Sequence, residues 1–235
     1  MRLVFLDTET TGLSPQSGDR IVEIGCVELV DRRPSGRHLH LYLNPQRASH
    51  PDALRVHGLT EAFLSDKPLF EEVVDDFLEF VAGAEVVIHN ASFDVGFLDH
   101  ELARLNRPKF AQGVDRITDS LLMARELYPG KANSLDALCK RLEVDNSNRT
   151  LHGALLDAGL LSEVYVRMTR GQKSLAVEVD DAPVEQVVID ITDLTQFQLP
   201  VLAASDEEAS AHVAVIAELE KASKNGAIWS KSVAH

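Results

Sequence analysis

The first fourteen residues constrain the fold and the chemistry of this chain more than any other stretch. Arg2 to Leu6 is a short apolar run of strand-forming residues, which predicts a buried strand. Asp7 and Glu9 follow it and, because side chains alternate across a strand, they share one face while Thr8 lies on the other. Two such acids repel each other unless a cation neutralises them, and Mg²⁺ prefers oxygen ligands of this kind. A strand that simply ends in a polar turn is the alternative, since Thr-Thr-Gly follows.

Length and charge limit the functions open to the chain. Its 235 residues suffice for one domain and an appendage. It has no run of eighteen apolar residues and no signal-peptide pattern, so we expect no membrane association and a cytoplasmic location with reduced cysteines. The net charge of −14 argues against tight DNA binding through phosphate neutralisation alone. A nucleic-acid substrate would require metal ions or a partner that delivers it, and a role without nucleic acid is also compatible with the acidity.

The hydrophobic pattern predicts a mixed α/β domain over residues 1–170. Three strands come first, and helices then alternate with shorter strands. The predicted strands lie at residues 2–6, 20–30, 38–43 and 86–88, with another ending at 117. The predicted helices lie at residues 69–81, 91–105, 119–128, 134–142 and 153–168. We expect a hairpin turn over residues 31–36 and an irregular stretch over residues 44–59. This order predicts a mixed sheet with an antiparallel part, flanked by helices.

The composition changes after Arg170. Residues 171–186 are polar and acidic, which is typical of a linker. Residues 187–235 form a tail in which Ser205-Asp-Glu-Glu208 is a capping box that opens a helix to about residue 223. The tail is too small for a good core of its own, and its lone tryptophan, Trp229, favours docking onto a partner. A disordered acidic tail is the alternative.

Four carboxylates and one histidine form the candidate site. Besides Asp7 and Glu9, Asp94 follows a predicted strand near a helix start, and Asp157 lies one turn into a helix that His152 precedes. Four carboxylates can hold two divalent ions, which orient a water and polarise a phosphate. The imidazole could then deprotonate that water. Taken singly, each residue has an ordinary structural interpretation, since acids are common at helix starts.

Three segments resemble, in order, the exonuclease motifs of the DEDDh family: Phe-Leu-Asp-Thr-Glu-Thr-Thr-Gly at 5–12, His-Asn-Ala-Ser-Phe-Asp at 89–94 and His-Gly-Ala-Leu-Leu-Asp at 152–157. The resemblance covers residues 1–170 and implies a ribonuclease H-like fold. It also implies 3′→5′ hydrolysis of nucleic acid to nucleoside monophosphates, with His152 as the general base. The implied ligands of two Mg²⁺ or Mn²⁺ ions are Asp7, Glu9, Asp94 and Asp157.

Further segments are similar to the epsilon (DnaQ) subunits of bacterial DNA polymerase III, notably residues 56–59, 118–122 and 133–139. That likeness implies proofreading of the DNA 3′ end. In that family the histidine of the His-Gly motif lines the nucleotide pocket, so His57 is a candidate substrate contact and Asp52 a weaker one. The likeness also implies substrate contacts at three of the metal ligands, Asp7, Glu9 and Asp157. We expect Asp119 to be structural.

The tail extends the resemblance to partners. Gln172 to Val177, Gln-Lys-Ser-Leu-Ala-Val, resembles a sliding-clamp binding peptide of the form Q-x-x-L-x-aromatic, with Leu175 at its leucine position. Because Val177 replaces the aromatic residue, we expect weak clamp binding at best, and a plain linker is the alternative. The segment from about residue 187 to Trp229 is similar to the part of epsilon subunits that binds the polymerase III alpha subunit. A small accessory subunit is a further candidate partner.

Two other functions fit part of the sequence. A stand-alone DEDDh exonuclease that trims RNA or oligonucleotides would carry the same five site residues but would not need a polymerase-docking tail. A non-catalytic scaffold between clamp and polymerase would use the tail but not the five residues. The proofreading exonuclease explains both halves of the chain.

Overall fold

The computed structural model describes residues 1–147, 151–170 and 204–222. The chain divides into two units, Met1–Glu178 and Val179–His235. Within the described ranges, every helix is too short or too polar to cross a membrane.

A five-stranded mixed sheet forms the centre of the first unit. Its strands are β1 (Arg2–Thr10), β2 (Ile21–Val30), β3 (Arg33–Tyr42), β4 (Glu85–Ile88) and β5 (Arg116–Asp119). The order across the sheet is β3-β2-β1-β4-β5. The β1 strand pairs antiparallel with β2 and parallel with β4, and β5 continues the parallel part. The predicted mixed sheet with an antiparallel part is therefore confirmed.

Helices cover both faces of this sheet. They are α1 (Pro51–His57), α2 (Glu61–Leu64), α3 (Phe70–Val81), α4 (Ala91–Arg104), α5 (Ser120–Leu127), α6 (Leu135–Leu142) and α7 (Ala154–Met168), with 3₁₀ turns at Pro15–Ser17 and Phe110–Gln112. On one face, Val4 and Leu6 of β1 share a core cluster with residues of α3 and α4. On the other face, Leu3 and Phe5 share a cluster with residues of α6 and α7. The alternation of β1 thus divides the core into two layers.

The structure corrects two predictions about the antiparallel hairpin. First, β1 continues through the acidic residues to Thr10, because β2 pairs with it along its whole length. Second, the turn is not spread over residues 31–36 but consists of Asp31 and Arg32, with φ of 49° and 65°. Positive φ at both positions matches the right-handed twist of the flanking strands. Pro34 lies in β3, where it is tolerated because β3 is an edge strand.

The stretch over residues 44–59, predicted to be irregular, contains the helix α1. Pro51 opens this helix, where its missing N–H removes no hydrogen bond. Gly58 ends it in the left-handed conformation, with φ of 73°, and donates to the Leu54 carbonyl at 2.8 Å. A helix of only seven residues is too short to show a clear periodic pattern in the sequence.

In the second unit, the described residues form helix α8 (Asp206–Ala222). The predicted capping box is present: Ser205 N donates to the Glu208 carboxylate at 2.8 Å, and Glu208 N donates to the Ser205 hydroxyl at 3.3 Å. The predictions of a linker, of a clamp peptide at Gln172, Leu175 and Val177, and of a partner contact at Trp229 lie outside the described residues.

Candidate active site

Strand β1 presents Asp7 and Glu9 on one face. Both are partly buried, whereas Thr8 and Thr10 between and beyond them are buried. The register with β2 places Glu9 opposite Glu23, a buried acid whose carboxylate lies 2.8 Å from His40 Nε2. The pairing that extends β1 therefore holds its two acids on a rigid strand rather than on a turn.

Asp94 enters the site from the first turn of α4. Its side chain is 3% exposed, and the Thr8 hydroxyl donates to its Oδ1 at 2.7 Å. Thr8 makes this contact because it faces away from Asp7 and Glu9, toward α4. Burial raises the pKa of Asp94 to about 7, mainly because the ionised carboxylate loses its solvent. A buried carboxylate of this kind favours a nearby cation.

Asp119 fixes the direction in which α4 starts. Its carboxylate accepts hydrogen bonds from Asn90 N at 3.3 Å and Ala91 N at 3.0 Å. Asn90 has the unusual left-handed φ of 70°, which turns the chain from β4 into α4. The same carboxylate accepts from Leu121 N and Leu122 N at the start of α5. Asp119 is thus a structural residue, as its sequence position indicates, and it also sets the position of the buried Asp94.

Helix α7 supplies the remaining two side chains. Asp157 lies in its first turn and is 3% exposed, whereas the His152 side chain just before the helix is 45% exposed. His152 Nδ1 lies 3.6 Å from Asp157 Oδ2. The backbone N of His152 donates to the Val56 carbonyl at 3.1 Å. One potential ligand atom from each of Glu9, His152 and Asp157 lies within 4.8 Å of the others.

All five predicted site residues line a single cavity of about 270 Å³, which we call the carboxylate cavity. The five are Asp7, Glu9, Asp94, His152 and Asp157. Carboxylate oxygens on one concave surface are the donors that hard divalent ions prefer, and the buried Asp94 would lose its desolvation penalty beside a cation. The residues present therefore fit a divalent metal. Asp136 and Ser134 also line this cavity; they belong to the epsilon-like segment 133–139, but the sequence alone does not indicate that their side chains lie at the site.

A second cavity, of about 460 Å³, adjoins the first and shares Thr8, Glu9 and Phe93 with it. We call it the His57 cavity. His57 is 4% exposed, its Nδ1 accepts from Leu59 N at 2.9 Å, and burial lowers its pKa. Asp52 lines the same cavity at the surface, and its carboxylate pairs with Arg55 at 3.0 Å. The structure thus brings both predicted substrate residues to one cavity, with His57 enclosed and Asp52 at the rim.

Comparison with known proteins identifies the family. The exonuclease (RNase_T) family model matches residues 4–165. The chain is 45% identical over 243 residues to DNA polymerase III subunit epsilon of Pasteurella multocida, a match that covers 99% of this chain and 95% of the relative. The chain belongs to the DNA polymerase III epsilon-subunit family. Another member of the epsilon family, from Escherichia coli K12, is 47% identical over 234 residues. That match covers 94% of this chain and 94% of the relative.

Solved structures agree with the fold of the epsilon-family chain. Exonuclease X in complex with 5′ overhanging duplex DNA is 28% identical, with a TM-score of 0.57, over 73% of this chain and 93% of that one. The nuclease domain of 3′hExo, a DEDDh family member bound to rAMP, is 17% identical, with a TM-score of 0.62, over 72% and 92%. The expected ribonuclease H-like exonuclease fold is confirmed.

Proposed function

We propose that this protein is the proofreading 3′→5′ exonuclease of a bacterial DNA polymerase III, which removes the 3′-terminal nucleotide of DNA as a deoxynucleoside monophosphate. The observation that carries the proposal is the convergence of Asp7, Glu9, Asp94, His152 and Asp157 on one cavity in an epsilon-family chain.

We assign the four carboxylates Asp7, Glu9, Asp94 and Asp157 as ligands of two Mg²⁺ or Mn²⁺ ions. When bound, such ions activate a water and stabilise charge on the phosphate and the leaving oxygen. The chain contributes the rigid placement of these ligands, through the pairing of β1 with β2 and through the contact of Thr8 with Asp94. This support holds the ligands in place before a substrate arrives.

His152 is the general base in this proposal. It borders the carboxylate cavity and remains 45% exposed, so a proton taken from the attacking water can pass to solvent. Asp157 Oδ2 lies 3.6 Å from its Nδ1. The backbone bond to Val56 fixes the residue relative to α1, which carries the His57 side of the site.

The His57 cavity receives the terminal nucleoside. It shares Glu9 with the carboxylate cavity, so a nucleoside there would place its phosphate among the metal ligands. The side chains of Leu13, Val56 and Phe93 give the cavity apolar surface for a base and sugar. His57 and Asp52 are the polar contacts we assign to the substrate, together with Asp7, Glu9 and Asp157 through the phosphate.

The partners follow from the same proposal. We assign residues 1–170 to catalysis, 171–186 to a linker with a weak clamp-binding peptide at Gln172, Leu175 and Val177, and 187–235, with Trp229, to the polymerase alpha subunit. A chain of net charge −14 gains affinity for a DNA 3′ end when these partners raise its local concentration there. A small accessory subunit could join them, and replication places the complex in the cytoplasm.

The test measures release of deoxynucleoside monophosphate from a 3′-mismatched primer, with Mg²⁺ or with EDTA, beside an RNA oligonucleotide of the same sequence. We expect metal-dependent release from DNA that Asp7→Ala abolishes and that His152→Ala slows by about 10²–10⁴-fold. Asp76→Ala and His38→Ala, at exposed positions outside both cavities, are the matched controls and should retain full activity.

Other outcomes would select the other functions. Faster degradation of RNA than of the DNA primer would favour a stand-alone trimming enzyme. Absence of hydrolysis of either substrate, with intact binding to the polymerase alpha subunit, would favour the scaffold.

A further inference from the structure

A third cavity, of about 500 Å³, adjoins the carboxylate cavity but not the His57 cavity, and we call it the basic cavity. It shares His89 and Ser134 with the carboxylate cavity and shares no lining residue with the His57 cavity. The three cavities therefore follow one another across the surface, with the carboxylates in the middle.

The basic cavity differs from the other two in charge. Arg125 and Lys131 line it and no carboxylate does, whereas the other two are lined by carboxylates and contain no lysine or arginine. None of the ion pairs found between described residues involves either cation. Burial lowers the pKa of the His89 ring, and the nearby charge of Arg125 adds to that lowering. Two exposed cations thus face an acidic site in a chain of net charge −14.

The backbone that carries these cations is braced. Arg125 lies in the last turn of α5, whose first turn is capped by Asp119. Lys131 follows Gly130, which has φ of 70°, a conformation that a glycine adopts without strain. The loop is tied down because Asn133 Nδ2 donates to the Tyr128 carbonyl at 3.3 Å and its Oδ1 accepts from Arg141 at 3.1 Å.

We propose that the basic cavity binds backbone phosphates of the nucleotides on the 5′ side of the scissile bond, with Arg125 and Lys131 as the phosphate contacts. The inference rests on the proposed function. If the terminal nucleoside occupies the His57 cavity and its phosphate lies among the carboxylates, the preceding nucleotides extend from the carboxylate cavity, which the basic cavity adjoins. Phosphate contacts position a strand without reading its sequence, as a proofreading site requires.

The test compares a substrate that reaches the basic cavity with one that does not. The first is a single-stranded DNA 10-mer, and the second is the p-nitrophenyl ester of thymidine 5′-monophosphate, which has no preceding nucleotide. For Arg125→Ala/Lys131→Ala, we expect KM for the 10-mer to rise by about tenfold at 0.1 M salt. Hydrolysis of the ester should change by less than about twofold, which also shows that the variant folds.

Salt dependence gives a second readout. Each phosphate contact on a single strand contributes about 0.7 to the slope of log affinity against log salt concentration, so the double variant should lose about 1.4 from that slope. The control is Arg33→Ala/Lys109→Ala, which removes the same two residue types. Arg33 pairs with Val30 at the end of the sheet far from the acids, and Lys109 lies beyond the far end of α4. The control should keep the wild-type slope and KM.

Each result decides one question. If the wild-type protein hydrolyses neither substrate, the proposed function fails. If the wild-type protein hydrolyses both and the double variant retains its KM and salt slope for the 10-mer, the basic cavity does not bind the strand. Equal losses on the 10-mer and on the ester would also overturn the inference, since they would place the two cations at the reaction centre or in the stability of the fold.

Discussion

Asp94 lies at the candidate site, and burying its ionised carboxylate lowers the stability of the folded protein. The folded protein encloses its carboxylate almost completely, and burial raises its pKa to about 7 from the ordinary value of 3.8. The Thr8 hydroxyl and local backbone groups offset only part of this cost. The ionised form is therefore disfavoured in the folded chain relative to the unfolded one.

The sign of this effect gives the first prediction. The folded chain holds the proton more tightly, so the penalty is absent below pH 3.8, grows with pH and is complete above about pH 7. Asp94→Asn removes the charge and keeps an oxygen for the Thr8 hydroxyl. In EDTA we expect it to raise the free energy of unfolding at pH 8 by roughly 2–4 kcal/mol, to have little effect near pH 4, and to abolish hydrolysis.

Thermal unfolding at the two pH values measures this, with Asp76→Asn on the exposed surface of α3 as the control. An Asp94→Asn protein that is less stable than wild type at pH 8 would contradict the conclusion that burial disfavours the ionised Asp94 carboxylate.

Among single residues, the sequence indicates the five site residues because they lie in motifs of fixed order. It did not indicate the contact of Thr8 with Asp94, or the four backbone bonds of Asp119. Those depend on which elements pack together and in what register, and alternation alone says only that Thr8 faces away from its two acidic neighbours. The hydrogen bonds that hold the candidate metal ligands in place are therefore harder to predict from sequence than the ligands themselves.

Among the elements, the contact between β2 and α7 determines where Asp157 lies. Gly25 of β2 lies directly beneath the start of α7, and a Cβ there would overlap backbone atoms of Ala154 and Leu155. The close approach of helix to strand thus requires a residue without a side chain. It is this approach that brings Asp157 over the acids of β1.

We predict that Gly25→Ala lowers the free energy of unfolding by about 1–3 kcal/mol, because backbone atoms cannot move aside as side chains can. Hydrolysis should fall more than stability alone explains, since α7 must shift. The matched control is Gly96→Ala in α4, where a Cβ meets nothing within 4 Å. Alanine there should stabilise the helix by about 0.5–1 kcal/mol. Urea unfolding with parallel rate measurements tests both, and equal behaviour of the two variants would refute the packing argument.

The periodicity of the sequence was sufficient for the long elements and insufficient for the short ones. Helices such as Phe70–Val81 and Ala154–Met168 follow their apolar pattern to within a residue or two. The sequence predicts too long a turn for the hairpin because a proline such as Pro34 usually marks a turn. Pro34 fits into β3 only because β3 is an edge strand. Strand β1 extends through Asp7 and Glu9 because it pairs with β2. The local sequence of β1 contains no signal for that pairing.

For the molecule as a whole, concentrated negative charge is the dominant electrostatic feature. The carboxylate cavity gathers five acids, the four proposed ligands and Asp136, in a chain that already carries a net charge of −14. Carboxylates gathered in one cavity repel one another, and a bound cation would relieve that repulsion. If metal ions bind at these carboxylates as proposed, their binding should stabilise the folded state.

We predict that Mn²⁺ raises the melting temperature and that EDTA reverses the rise. At a free concentration about 100 times its Kd, an ion stabilises the folded state by about 2.7 kcal/mol. For a domain of this size that corresponds to about 5–10 °C. Asp7→Ala should lose most of the shift while Asp76→Ala retains it. A shift of equal size in both variants would indicate that the ion binds elsewhere on the acidic surface.

The double role of Asp119 has a consequence for how the enzyme advances along DNA. One carboxylate anchors the start of α4, which carries Asp94, and the start of α5, whose last turn carries Arg125. If the basic cavity binds the strand as proposed, the distance between the scissile bond and the bound phosphates is fixed, because Asp119 holds both helices. With this distance fixed, the strand would move by one nucleotide in each cycle of hydrolysis.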